Sequence, residues 1–176
     1  MAFHVINEAK RCLHCKKPMC MQGCPISTPI PDMIDTFLHV GLNEAGEKVL
    51  ENNPLSVICS LVCNHEKQCE GHCVLGRKGQ PVHISSIENY ISDTYFDKAE
   101  IKCAPKNGKK AAIIGSGPAG ITIAIILAKR GYDITIFESR SKIGGVLQYG
   151  IPDFRLPKTI LERYKKKLLS LGIKIR

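Results

Sequence analysis

Eight cysteines in two groups of four constrain this chain more than any other feature. The first group is Cys12-x2-Cys15-x4-Cys20-x3-Cys24 with Pro25 directly after it, and the second is Cys59-x3-Cys63-x5-Cys69-x3-Cys73. Thiolates are soft anionic donors, so paired groups of this kind read as metal ligation rather than core packing. A Cys-x2-Cys knuckle suits tetrahedral zinc, but zinc ribbons repeat that spacing and the second group does not. Two fours with Pro after the fourth fit iron–sulfur ligation better, with zinc as the alternative. In two-cluster ferredoxins the cysteine before Pro serves the other cluster, because the chain turns away there. By that logic Cys24 leaves Cys12, Cys15 and Cys20, and a later cysteine replaces it. The spacing leaves open which one.

The surroundings of the cysteines favour metal over disulfides. Residues 1–11 are polar and charged, with no apolar segment of a secretory signal. A cysteine-rich chain of that kind is expected to be cytoplasmic and metal-binding. Residues 111–128 carry no charge and are formally long enough to screen as a membrane span. Gly115, Gly117, Pro118 and Gly120 interrupt the run, so no membrane partner is expected. The formal net charge is +9, yet Lys and Arg are scattered apart from Lys165, Lys166 and Lys167. No nucleic-acid reading motif accompanies them, and Trp is absent. Cluster thiolates and a pyrophosphate would absorb part of that charge.

The pattern along the chain changes near Cys103. Residues 1–103 read as mainly helical, with helices predicted over Asp32–Val40, Asn43–Glu51 and Ser85–Lys98. Ala104-Pro105-Lys106-Asn107-Gly108 reads as a linker. Residues 104–176 then alternate strand and helix: Ala111–Ile114, Ala119–Arg130, Ile134–Phe137, Leu161–Leu171 and a strand from Ile173. That last strand has no partner after it in the sequence, so the α/β unit is expected to be incomplete.

Gly115-Ser116-Gly117-Pro118-Ala119-Gly120 follows the first of these strands and opens a helix. Its first glycine permits the turn, its second admits a pyrophosphate, and its third allows helix and strand to pack closely. Glu138 closes the second strand, where an acid can accept from a ribose hydroxyl. Strand, turn, helix, strand and acid together read as a dinucleotide-binding unit.

Two cysteine groups with these spacings, followed by this glycine unit, resemble the glutamate synthase small-subunit family. The same module occurs in dihydropyrimidine dehydrogenase and in the large subunit of NADH-dependent ferredoxin:NADP oxidoreductase. The resemblance implies one [4Fe-4S] cluster on Cys12, Cys15, Cys20 and Cys73, and a second on Cys24, Cys63 and Cys69 with Glu88 as fourth ligand. Ser85-x-x-Glu88 also reads as a helix capping box, and the two roles can coexist. Cys59 and Cys103 are left without iron, as small hydrophobes. His65 and His72 are expected to have surface or supporting roles. The order Gly144-Gly145-Val146-Leu147 and then Tyr149 to Pro157 looks like the FAD half of flavoproteins with two dinucleotide domains. Gly145, Leu147 and Arg155 would then approach the flavin.

The fold class expected is therefore a mainly α two-cluster domain over 1–103, followed by the first part of a Rossmann-type FAD unit over 104–176. For the complete protein the resemblance implies an NAD(P)H-dependent oxidoreductase that passes electrons between FAD and the clusters toward a partner subunit or protein acceptor. Residues 1–176 carry no acid–base or nucleophilic set, and alone they are expected to be inactive. The rival reading is a non-catalytic docking module held by zinc or structural clusters. A free-standing ferredoxin-like carrier is a third, opposed by the glycine unit.

Overall fold

In the computed structural model, which describes residues 2–176, the chain divides into two units, Met1–Lys98 and Ala99–Arg176. Met1, the first residue of the segment read above for a leader, lies outside the described residues.

The first unit is helical: α1 (Ala2–Ala9), α2 (Met19–Gln22), α3 (Ile30–His39), α4 (Leu42–Asn52), α5 (Ser56–Val62) and α6 (Ile84–Phe96). Short 3-10 turns at His65–Lys67, Glu70–His72 and Val74–Arg77 fill the space between α5 and α6. Ile84, Ile87 and Ile91 recur at helical spacing and are buried, so α6 presents one apolar face to the rest. They cluster with Ile30, Met33 and Ile34 of α3 and with Ala45 and Val49 of α4. Each such isoleucine contributes about 1.5–3 kcal/mol by leaving water. Pro29 and Pro31 start α3, where a missing N–H costs nothing. Pro54 follows the C-cap Asn53 and stops α4.

The predicted helices shift by one or two residues at most ends, but α1, α2 and α5 were not predicted. Val57 and Ile58 make α5 a weak helix former by propensity, and packing against α6 overrides this.

The second unit holds a parallel sheet in the order β1 (Lys110–Ile114), β2 (Asp133–Phe137), β3 (Lys174–Ile175). Lys110 pairs with Asp133, Ile114 with Phe137, and Ile136 with Ile175. α7 (Pro118–Lys129) crosses from β1 to β2; α8 (Val146–Tyr149) and α9 (Lys158–Ser170) lie between β2 and β3. Ile121, Ala124, Ile125 and Ala128 of α7 are buried, as are Ile134 and Ile136 of β2 and Leu161, Tyr164 and Leu168 of α9. Strand, tight turn and crossover helix place the glycine-rich segment at the carboxyl end of β1, the position at which ligands bind in open α/β sheets. Among the described residues, no helix is long and apolar enough to cross a membrane.

Candidate functional site

Cys12, Cys15, Cys20 and Cys73 line one cavity, brought together from the end of α1, the following loop, α2 and the turn after Glu70–His72. The other walls are apolar, among them Ile30, Ile34, Val82 and Ile84. Burial pushes the Cys12 thiol up, against the His14 N–H that bonds its sulfur and reinforced by Cys15 and Cys73. His14 reaches this position with φ 46, in the left-handed region. Burial likewise pushes Cys20 up to about 11, against the Met21 N–H and reinforced by Cys12, Cys73 and Cys15. Such thiols resist ionising by themselves. A bound cation reverses this, because a coordinating thiol is deprotonated outright.

Cys24, Cys59, Cys63, Cys69 and Glu88 line a second cavity of about 110 Å³. Cys24 Sγ donates to Thr28 Oγ1 at 3.4 Å. Cys59 lies on α5 and Cys63 caps it one turn later, and a hydrogen bond between them holds the Cys59 thiol down and the Cys63 thiol up. Cys69 is pushed up to about 12 by burial and then by Glu70 and Glu88. Glu88, on α6, is 7% exposed, and burial followed by Cys59 raises it to about 8.

The two buried acids of this region differ. Glu70 Oε1 accepts from the Ser85 N–H at 2.8 Å and the Ser85 hydroxyl at 2.7 Å. Glu88 accepts no hydrogen bond among the described residues. The capping box is therefore not formed: His83 is the N-cap, without a side-chain cap bond, and Ser85 lies inside the first turn and turns to Glu70. Glu8 Oε1 accepts from the His83 N–H at 2.8 Å, and Arg11 Nη1 donates to Pro81 O at 3.0 Å. These bonds from the end of α1 fix the start of α6 and so the placement of Glu88.

Sequence reasoning left Cys59 outside the metal sites, but its thiol lines the second cavity. Its spacing of four from Cys63 puts both on one face once a helix is recognised there. His65 also lines that cavity, while the exposed His72 holds Nδ1 2.6 Å from Gln68 O. Cys103 is exposed. Asn53 was not singled out either. Its Nδ2 and Ser56 Oγ are buried without a hydrogen-bond partner among the described residues. No three His, Cys, Asp or Glu side chains among those residues are grouped to hold one metal ion, so the thiols surround space rather than a point.

In the second unit the glycine segment is tied to its neighbours through Ser116, which is fully buried. The Ser116 N–H and hydroxyl both donate to Glu138 Oε2, the former at 2.9 Å. Glu138 Oε1 accepts from the Arg140 N–H at 2.9 Å, and these bonds, led by the Ser116 hydroxyl, hold the carboxyl below its usual range. The Gly144 N–H donates to Ser116 O at 2.9 Å. Gly115 has φ +88, and a Cβ on Gly120 would lie 2.1 Å from Gly115 O, so the turn itself demands both glycines. A Cβ on Gly117 would meet nothing within 4 Å. The packing gives no reason for that glycine, and a Cβ on Gly145 would come within 3.0 Å of the Gly117 Cα, so the two backbones approach closely. Leu147 is buried on α8, and Arg155 stands in the exposed loop before α9. Lys158 Nζ donates to Leu147 O at 2.9 Å and holds that loop to α9.

Residues 2–100 match the family described as dihydropyrimidine dehydrogenase domain II, 4Fe-4S cluster. Residues 113–158 match an NAD(P)-binding Rossmann-like domain. The chain is 37% identical to the glutamate synthase [NADPH] small chain of Halomonas elongata over 169 residues, 94% of this chain and 36% of that protein. It is 36% identical to the NAD-dependent dihydropyrimidine dehydrogenase subunit PreT of Salmonella typhimurium over 173 residues, 97% of this chain and 42% of that protein. A putative oxidoreductase of Escherichia coli, UacF, is 35% identical over 170 residues, 94% of this chain and 27% of that protein. The chain thus spans well under half the length of these relatives.

Proposed function

The chain belongs to the 4Fe-4S family of dihydropyrimidine dehydrogenase domain II, and on that premise we propose that it carries two [4Fe-4S] clusters and an FAD as the electron-transfer part of an NAD(P)H-dependent oxidoreductase. Iron–sulfur and Rossmann-like domains, together with relatives of the glutamate synthase small-chain and PreT type, support an electron-transfer role in an oxidoreductase. The count of clusters, the flavin and the ligands are the finer reading.

The observation that carries this reading is the crossed partition of the cysteines. The first cavity takes three cysteines of the first group and the last of the second; the other takes Cys24 together with the remainder. Cys12, Cys15, Cys20 and Cys73 hold the first cluster, and Cys24, Cys63, Cys69 and Glu88 the second. A buried carboxylate without a hydrogen bond is costly unless it binds a cation, and iron gives Glu88 that partner. Cys59 remains a thiol beside the second cluster.

In the second unit, Gly117 and the α7 N-terminus receive the pyrophosphate, and Glu138 accepts from a ribose hydroxyl. The Gly144-Gly145 turn, bound to Ser116, extends the cradle toward the isoalloxazine. When bound, the flavin and clusters supply the exchange between electron pairs and single electrons. The residues of this chain place the groups, exclude water and set potentials. The names of the relatives, a small chain and a subunit, support a partner subunit as the next electron carrier.

Iron and acid-labile sulfide measured on protein prepared without oxygen test the proposal. About eight irons per chain, the content of two four-iron clusters, are expected. One or two zinc ions without labile sulfide would refute it. For the flavin, the chromophore bound by the purified protein should show a flavin spectrum and release FAD on denaturation.

A further inference from the structure

Asn53 caps α4 and lines the second cavity with Cys59, Cys63 and Glu88. It is 7% exposed. Its backbone is committed on both sides: the N–H donates to Val49 O at 2.8 Å, and the carbonyl accepts from the Ser56 N–H at 3.0 Å. The side chain is committed on one side only, with Oδ1 accepting from the Leu55 N–H at 3.0 Å. Because a donor needs an acceptor, the Leu55 bond fixes which end of the amide is oxygen. Nδ2 is left as the free end of the amide, in a side chain that lines the cavity. It makes no hydrogen bond among the described residues.

An amide with two donors and no acceptor is seldom buried. The acceptors missing here are those an iron–sulfur cluster brings, namely inorganic sulfide and thiolate sulfur. From this we infer that the Asn53 side-chain amide is an N–H···S donor to the second cluster and raises its reduction potential. The inference rests on the reading that the second cavity holds a cluster. Hydrogen bonds to cluster sulfurs are among the factors that set its potential. They favour the reduced level, because its sulfurs carry more negative charge and accept more strongly. Ser56 Oγ, the other orphan, does not line this cavity and takes no part. Asn53 is a positioning residue for electrons: it acts on the potential of the cluster without ligating iron.

Potentiometric titration of the iron-loaded full chain, followed by electron paramagnetic resonance, tests this with Asn53→Asp and Asn53→Ala. Asn53→Asp keeps the acceptor that holds the Leu55 N–H, and so the turn, but loses the donors. Asn53→Ala loses both. The titration is run near pH 9, so that the introduced carboxyl is ionised and does not donate. The two signals are assigned beforehand with Cys73→Ser and Cys63→Ser. The expected result is a second-cluster reduction equilibrium weakened about tenfold or more in both variants, about 59 mV for one electron. The first cluster, the iron content and the labile sulfide should stay as in the wild type. An unchanged second midpoint in Asn53→Asp overturns the inference, as does an equal shift of both clusters. If Asn53→Ala does not fold, Asn53→Asp decides alone. Wild-type protein without labile sulfide would instead remove the underlying reading, a separate failure visible before any variant is made.

Discussion

Replacing Glu88 by Gln should have opposite effects on the cluster-free and the iron-loaded protein. Burial raises the Glu88 carboxyl from its ordinary 4.5 to about 8 without iron. The folded cluster-free chain therefore keeps its proton at pH 7, whereas the unfolded chain has lost it. A carboxyl with a raised folded pKa supports folding fully below pH 4.5 and loses that support as pH rises toward 8. At pH 7 the loss corresponds to about 2.5 pH units, or about 3 kcal/mol, levelling at about 5 kcal/mol above pH 8. Gln, neutral and nearly isosteric, removes the loss. Cluster-free Glu88→Gln should thus be more stable than the wild type by about 3 kcal/mol at pH 7 and equal to it near pH 4. In loaded protein the same change replaces an anionic oxygen ligand by a weak neutral one. The second-cluster signal should shift or disappear, while the signal of the cluster on Cys12, Cys15, Cys20 and Cys73 stays. Denaturant melts at several pH values give the first half, and electron paramagnetic resonance with iron counting gives the second. Equal stability of the two cluster-free proteins at pH 7, or two unaltered signals in loaded Glu88→Gln, would refute the reasoning.

Cys73→Ser should lose the first cluster and keep the second, whereas Cys24→Ser should do the reverse; iron counts with resonance spectra check this. Loss of the first cluster in Cys24→Ser would restore the contiguous four-plus-four pairing. Cys59→Ser should keep both clusters at wild-type iron content, because Glu88 supplies the fourth ligand. Gly120→Ala should destabilise the second unit by about 1–3 kcal/mol through its clash with Gly115 O, and reduce dinucleotide binding with it. Gly117→Ala, whose Cβ meets open space, should change the thermal midpoint little and yet weaken FAD binding about tenfold or more. Titration calorimetry beside melting curves separates the two, and equal affinity in Gly117→Ala would exclude a pyrophosphate at that point.

The sequence was most informative where chemistry dictates spacing. The strand, glycine turn and crossover helix of residues 110–137 lie within a residue of their predicted ends. Gly115 and Gly120 are demanded by a positive φ and a 2.1 Å contact that no other residue satisfies. The helices α3, α4 and α6 were legible because their apolar residues recur at helical spacing and prolines or a glycine bound them. α5 was not legible, since Val57, Ile58 and the cysteines favour no helix in isolation, and with α5 went the placement of Cys59. Asn53 was hidden for a different reason. A polar residue before Pro54 reads as an ordinary turn, and only burial reveals that its amide lacks a partner. The Ser85–Glu88 capping box misled because the short-range pattern was complete. Glu70, fifteen residues upstream of Ser85, takes the bond instead.

The crossed partition also ties metal binding to folding. Cys20 and Cys73 share one cavity, and Cys24 and Cys63 the other. In the proposed arrangement each cluster therefore joins the segment before α3 to the segment after α5. Each closes a loop of roughly forty to fifty residues, whose closure entropy must otherwise be offset by apolar contacts alone. The buried side chains of α3 and α4 lie inside that loop and, clustered with those of α6 beyond it, supply part of this. The segment from Cys63 to Arg77 has little else, being short 3-10 turns with only Cys69 and Glu70 buried. Thiols raised by burial add to the imbalance, because their surroundings keep Cys20 and Cys69 neutral until iron arrives. Metal binding that requires deprotonated ligands then becomes folding free energy for these turns. Hydrogen exchange in the 63–77 segment should accordingly slow on cluster insertion far more than exchange in α3 or α4, since those helices already have their core without it.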